Sequence, residues 1–371
     1  MTDTSENASP AADEAPPPRV AWVAAAGTLG RQGRVLHPLA IGLMDELITP
    51  VVVCPRQADV RGLPVPPLEL LTYRPPAWWE PGKGRHVERL AAELARRKVG
   101  LLHGLEARAA GLTKSLARAL DVPYLLSSDS LRDRHRLWPL GGRCAGVLAA
   151  SEPVRAALSG HLLGSAEVRL LRPGTYQTRR ATCFDEPGLQ TSILIGGRMD
   201  QAGPVETVLR ALGEIQGRQY DCAFFLIGTG RAERRIRRRA EQLHLLQNLT
   251  IASGQPVGQM PGLFKAADLY VAAVGRQSLD VPALLALAAG VPVLAAGAAA
   301  SDFLIDGQTA LLYSPTDSAE LTMKLTSLLE DPDAARSLAE TALAYLREHH
   351  SAGRMVAETA EAYRAAVRGE G

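Results

Sequence analysis

Aromatic side chains make up only 5 % of the 371 residues, and cysteine occurs four times. Cys54, Cys144, Cys183 and Cys222 stand far apart and form no CxxC pair. That spacing argues against a zinc site or a disulfide framework and fits a reducing compartment. No apolar stretch approaches the ~20 residues that a membrane-spanning helix needs. Charge of neither sign dominates: 41 Lys and Arg face 39 Asp and Glu, a formal net of +2. Nucleic-acid binding would need a basic stripe with stacking aromatics, and none is evident, so no nucleic acid is expected among the partners. Residues 1–18 are acidic and rich in Pro and Ala, without the basic flank and apolar centre of a signal peptide. They are expected to form a disordered tail, and the protein to be cytoplasmic.

Apolar residues are plentiful, at 46 %, and glycine occurs 34 times. Cores built from Leu, Val and Ala, with glycines for tight strand-to-helix turns, suit doubly wound parallel sheets. The length suggests two domains of roughly 150 to 180 residues each. Apolar runs alternate with helical periodicity in two series. The first begins with a strand at 19–26, a loop holding Gly27, Gly30 and Gly33, and a helix whose inner face carries Leu36, Leu39, Leu43 and Leu47. Strands follow at 51–54, 99–103, 122–127, 144–150 and 167–171, with an irregular excursion at 62–81 that includes Trp78 and Trp79. The second series has strands at 192–195, 222–227, 249–252, 269–274 and 291–296. The expected division is a domain at 19–177, a linker at 178–190, a second domain at 191–350, and a closing helix at 351–371.

Several local patterns carry more than fold. Gly228-Thr229-Gly230 closes the second strand of the second series, and Ala288-Ala289-Gly290-Val291-Pro292-Val293-Leu294-Ala295 leads into a later strand. Ala149 to Val154, Leu171-Arg172-Pro173-Gly174, Gly197-Arg198-Met199 and the segment from Phe303 to Leu312 add four short matches in order. With the glycine loop at Gly27 to Gly33, these segments resemble group-1 (family 4 type) glycosyltransferases over about residues 19 to 367. The resemblance implies the GT-B fold: two Rossmann-like doubly wound parallel-sheet α/β domains facing a central cleft, with the helix at 351–371 packing back on the first domain. It also implies transfer of a sugar from a nucleotide-sugar donor with retention, to an acceptor that the sequence does not name. No cofactor and no bound metal are expected.

The same resemblance nominates site residues. Arg198 is the donor-phosphate candidate, with Gly27, Gly30, Gly228, Gly230, Arg276, Ser278 and Leu279 lining the donor site. Gln277 stands where relatives carry a sugar-binding glutamate, and an amide can still bond a sugar hydroxyl. Asp129 falls at the position of a histidine near the reacting carbon. Both are the catalytic candidates, although Asp129, among Ser127, Ser128 and Ser130, also fits a simple turn or cap. Other positions depart from the pattern: the expected lysine is replaced within Asp200 to Gly203, and the ribose-binding glutamate is Leu285. Asp280 precedes Val281-Pro282 as an N-cap, where its carboxylate would take the amides a phosphate uses. A catalytically degenerate scaffold or binding module is therefore the rival reading, and a GT-B sugar-nucleotide epimerase a third.

The arginine-rich helix expected at 231–246 offers peripheral contact with anionic lipid at the inner membrane surface, or help in holding a nucleotide. A solvated helix face is the simpler account. His103, at the end of an apolar run, reads as a hydrogen-bonded structural histidine, and His349-His350 as surface.

Overall fold

The computed structural model describes residues 19–64, 67–75, 83–160, 166–185, 190–196, 199, 202–228, 230–253, 260–273, 277–297 and 299–369. Thirteen strands form two sheets among them. The first sheet contains β1 (Val20–Val23), β2 (Val51–Pro55), β3 (Glu69–Tyr73), β4 (Leu101–Gly104), β5 (Tyr124–Ser128), β6 (Cys144–Ala149) and β7 (Val168–Leu170). Its order is β3-β2-β1-β4-β5-β6-β7. The second contains β8 (Thr191–Gly196), β9 (Cys222–Gly228), β10 (Leu249–Ser253), β11 (Leu269–Ala272), β12 (Val293–Ala295) and β13 (Leu311–Leu312). Its order is β10-β9-β8-β11-β12-β13. Every pairing is parallel. Parallel sheets are covered on both faces, which is why β1, β2, β4 and β11 are continuous buried runs instead of alternating ones.

Twelve helices provide the cover. Those of the first half are α1 (Thr28–Asp45), α2 (Lys83–Arg96), α3 (Ala110–Leu120), α4 (Arg134–Leu137) and α5 (Glu152–Ser159). Those of the second are α6 (Ala202–Gly217), α7 (Glu233–Gln242), α8 (Met260–Lys265), α9 (Val281–Ala288), α10 (Ser318–Glu330), α11 (Pro332–His349) and α12 (Ala352–Arg368). In each sheet the strand order reverses once, between β1 and β4 and between β8 and β11. Doubly wound folds bind ligands in the crevice beyond the strand ends at such a reversal.

The last helix lies against the first sheet. The Trp22 indole donates to the Tyr363 hydroxyl at 2.8 Å, and that hydroxyl lies 2.7 Å from His103 Nδ1. On its other side, His103 Nε2 lies 2.8 Å from the Ser127 hydroxyl, so both ring nitrogens have a hydrogen-bond partner. Burial holds His103 neutral, its pKa pushed down to about 3. Gly42 of α1 makes room for this helix, since a Cβ there would meet Val356 at 2.4 Å. One apolar cluster runs on from Trp22 and Tyr363 through α1 to Leu284, Leu287 and Val293 of the second half.

The structure departs from several expectations. Glu69–Tyr73 is an edge strand inside what reads as an irregular excursion. Trp78 and Trp79 of that excursion lie outside the described residues. The glycine loop is shorter than expected: Gly30 and Gly33 lie within α1, and Gly33 permits a close approach to Gly62. Leu47 is off the helix, at positive φ and 75 % exposed, because α1 ends at Asp45. The arginine-rich helix stops at Gln242, and His244, in the left-handed region, separates it from a short turn at Leu245–Gln247. His350 is 1 % exposed, not on the surface; its Nδ1 lies 2.9 Å from the Pro173 carbonyl and its ring meets Phe303 edge-on.

Candidate functional site

On the first-domain side, β1 runs into Gly27, whose φ of 84° is the left-handed conformation that suits glycine. α1 then starts without a side-chain cap or an acidic residue in its first turn. Its first residues turn toward a buried carboxylate beyond β4. The Thr28 hydroxyl donates to Glu106 Oε1 at 2.6 Å, and Arg31 forms a short ion pair with Oε2. Gln32 donates to Asp129 Oδ2 at 2.9 Å. Asp129 follows β5, and burial raises its pKa, opposed by the Gln32 bond and reinforced by the Glu106 charge. Asp133 lies just beyond, pushed up to about 6 by burial and by the neighbouring Asp129 charge. The Ser128 hydroxyl donates to it at 3.1 Å. Among the described residues this edge thus gathers three carboxylates, with Arg31 and Arg136 as the cations bonded to them.

On the second-domain side, the loop after β11 leads to Gln277 and Ser278, both exposed, and then to Leu279 and Asp280, both buried. Asp280 caps α9: its Oδ1 accepts from the Ala283 amide at 3.0 Å, and its own amide donates to the Ser301 hydroxyl at 3.1 Å. Val281-Pro282 supplies the first turn, the position where a missing amide proton costs nothing. Burial pushes the Asp280 carboxyl up to about 6, against the stabilising bond from Ala283. Tyr270 rises from β11 beneath it, its buried hydroxyl without a hydrogen-bond partner among the described residues. That hydroxyl sits so close to Gly196, at the end of β8, that a Cβ there would meet it at 1.9 Å.

The two loops are bonded to one another. The Leu131 amide donates to the Gln277 carbonyl at 2.9 Å, and the Leu279 amide to the Asp129 carbonyl at 2.8 Å. The Ser130 hydroxyl donates to the same Gln277 carbonyl at 2.8 Å, and Ser130 and Ser278 form an antiparallel bridge. A second strap joins the domains nearby. The Ser151 hydroxyl, which caps α5, donates to the Ala300 carbonyl at 2.6 Å. Asp302 Oδ2 accepts from the Glu152 amide at 3.0 Å and pairs with Arg172 at 3.1 Å. The described cleft is closed at both points.

Of the residues nominated from the sequence, Asp129, Gln277, Ser278 and Leu279 meet in the first strap. Gln277 takes part through its carbonyl, and Gly27 and Gly30 lie at the start of α1, which carries Gln32 to Asp129. Gly228 ends β9, and Gly230 follows it at the foot of α7. Arg198 and Arg276 lie outside the described residues. Leu285 is a partly buried member of the apolar cluster. Glu106, Arg31, Gln32, Asp133, Ser301 and Asp302 are not among the nominations. Each joins the site through a partner remote in sequence or through burial, and no local pattern marks them. Among the described residues, no group of three His, Cys, Asp or Glu side chains is arranged to hold a metal. No described helix is long and apolar enough to cross a membrane.

Two parallel-sheet domains closed edge to edge across a cleft define the GT-B class, and solved structures agree. A glycosyltransferase from Rickettsia africae superposes with a TM-score of 0.74 at 14 % identity, covering 95 % of this chain and 99 % of that one. HepE from Anabaena, in complex with UDP and glucose, gives 0.75 at 16 % identity, covering 92 % and 98 %. Residues 185–344 match the family described as "Glycosyl transferases group 1". That match lies in the second domain of the chain. Among curated proteins, it is 27 % identical over 208 residues to a D-inositol 3-phosphate glycosyltransferase of Segniliparus rotundus, covering 55 % of this chain and 46 % of that one. It is 28 % identical over 141 residues to a GDP-mannose-dependent alpha-(1-6)-phosphatidylinositol monomannoside mannosyltransferase of Mycolicibacterium smegmatis, covering 36 % and 37 %. The chain thus spans less than half the length of these two relatives.

Proposed function

We propose that the protein transfers a sugar, with retention, from a nucleotide-sugar donor to an acceptor in the cleft between its sheets. The observation that carries this reading is the junction of the loop after β5 with the loop before α9. It bonds the Asp129 carbonyl to the Leu279 amide, in a chain whose second domain matches the group-1 family. In this reading Asp129 lies beside the reacting carbon, and the Gln277 amide bonds a sugar hydroxyl. Arg198, Arg276, Ser278 and Leu279 meet the donor, with Gly228 and Gly230 opening the second-domain edge and Gly27 and Gly30 the first. The chemistry is then positioning and charge stabilisation in a closed, water-poor site. The expected acceptor is a hydroxyl compound; the names of two relatives make inositol phosphates and phosphatidylinositol mannosides the first to test. A location in the cytoplasm, with peripheral contact at the inner membrane surface, accords with the second of these.

Calorimetric titration with UDP-, GDP- and ADP-sugars tests the reading. Saturable binding of one donor, lost in Arg198→Ala, and turnover lost in Asp129→Asn are the expected results. If no donor binds and none is hydrolysed, the reading fails.

One observation favours a second reading, a degenerate scaffold. The Asp280 carboxylate accepts from the Ala283 amide in the first turn of α9, a donor that a diphosphate could otherwise use. In the scaffold reading Asp280→Gly with Leu285→Glu creates donor affinity that the natural chain lacks. In the enzyme reading the natural chain already binds.

A further inference from the structure

Many arginines of this molecule lie beside a carboxylate. Arg97 pairs with Glu69 and Glu93, Arg155 with Glu152, Arg336 with Asp333, Arg354 with Glu358 and Arg364 with Glu46. The outer face of the second domain crowds them together, and there only Arg235 and Arg237 of α7 have a carboxylate partner among the described residues, Glu206 and Glu233. α7 holds five arginines in ten residues, and its buried positions, Ile236 and Ala240, turn all five away from the core. Arg235, Arg238 and Arg239 of α7 converge with Arg210 of α6 on a groove of about 330 Å³, completed by Glu206 and Gln242. Glu206 is already bonded by Arg235 at 2.7 Å, and Arg239 reaches only the neutral Gln242. Arg210 and Arg238 have no carboxylate partner among the described residues. The spacings 235/238 and 235/239 set like charges one turn apart, which weakens the helix unless an anion lies between them.

We infer that this groove is a binding site for clustered phosphate groups, as in a polyphosphate or a phosphate-bearing headgroup. Guanidinium forks from two helices can each give paired hydrogen bonds to phosphate oxygens, and four around one groove exceed what a single carboxylate neutralises. None of the six lining residues takes part in the straps that close the cleft. None of the six is among the residues assigned to the donor either, so the variant below tests the groove separately.

Two measurements on the full chain test it: titration with inorganic pyrophosphate, and co-sedimentation with phosphatidylcholine vesicles with and without phosphatidic acid. The variant is Arg210→Gln/Arg238→Gln, both exposed and without a carboxylate partner among the described residues. The control is Arg108→Gln/Arg118→Gln, the same charge loss on exposed positions of the first domain. The expected result is saturable binding of at least one probe, weakened about tenfold or more in the variant and within about twofold of the natural chain in the control. Pyrophosphate binding without vesicle binding identifies a free phosphate ligand, and vesicle binding dependent on phosphatidic acid identifies a headgroup. Absence of binding to both probes, or an equal loss in variant and control, overturns the inference.

Discussion

The cleft and the α6–α7 groove carry opposite charge in a chain whose net charge is only +2. At the cleft, Glu106, Asp129, Asp133 and Asp280 are buried or nearly so, and burial raises the pKa of the last three. At the groove, four guanidinium groups share one carboxylate and stand largely in solvent. The difference lies in how charge is accommodated. Carboxylates kept from water need donors of their own, and the cleft supplies Thr28, Arg31, Gln32 and the Ala283 amide. Exposed guanidiniums are satisfied by water and need no protein partner, so their crowding is affordable until a better anion arrives. An average over the chain conceals both.

The largest expected effect bears on the cleft's buried acids. In the folded protein the Asp280 carboxyl titrates near 6, against 3.8 when unperturbed. Between those values the folded state holds a proton that the unfolded state has released, so stability falls as pH rises through the window. Above it the penalty is complete, on the order of 3 kcal/mol. Asp280→Asn keeps a side-chain cap and removes the titration. The variant should match the natural chain near pH 4 and exceed it at pH 7 in urea unfolding. A difference that does not vary with pH would show that this carboxylate is not held by burial. His103 and His350, with pKa values pushed down to about 3 and about 4, tilt the absolute curves the other way. The comparison between variants cancels them.

Glu106→Ala comes next. It strips the charged partner from Arg31 and one of two acceptors from the Thr28 hydroxyl, and should cost about 2 kcal/mol in urea unfolding. An unchanged midpoint would mean that this acid is not needed to hold the start of α1. Ser130→Ala should be milder, at about 1 kcal/mol, because the two backbone bonds of the strap persist. Its readout is hydrogen exchange, which should quicken roughly fivefold at the Leu131 and Leu279 amides. No change there would show that the strap does not depend on the hydroxyl. The groove gives the smallest effect: Arg210→Gln/Arg238→Gln should move the thermal midpoint by less than about 2 °C, since both are exposed and neither has a carboxylate partner among the described residues. A large loss would place those arginines in the fold's own support and blur the contrast with the cleft.

Capping shows how far local chemistry can be read. Asp280-Val281-Pro282 reads as a cap because donor, acceptor and turn are within a few residues, and the structure has that bond. Asp317 with Glu320 reads as a capping box. Asp317 does accept from the Glu320 amide, but Glu320 reaches back to the Ser314 amide instead of closing the box. His350, in a polar setting by sequence, is buried because Pro173 and Phe303 arrive from far along the chain. β3 is hidden among prolines and gains its place from β2, through pairing that only the folded sheet supplies.

The amino-acid order alone determined two series of parallel strands and helices, their turns and most caps, because these depend on side-chain period and on bonds a few residues long. The folded structure decided which charges meet. Thr28 and Arg31 find Glu106 more than 70 residues away, and Ser130 finds Gln277 at 147 residues' distance. Such pairs depend on which strand ends the two sheets bring together, and no local pattern encodes that.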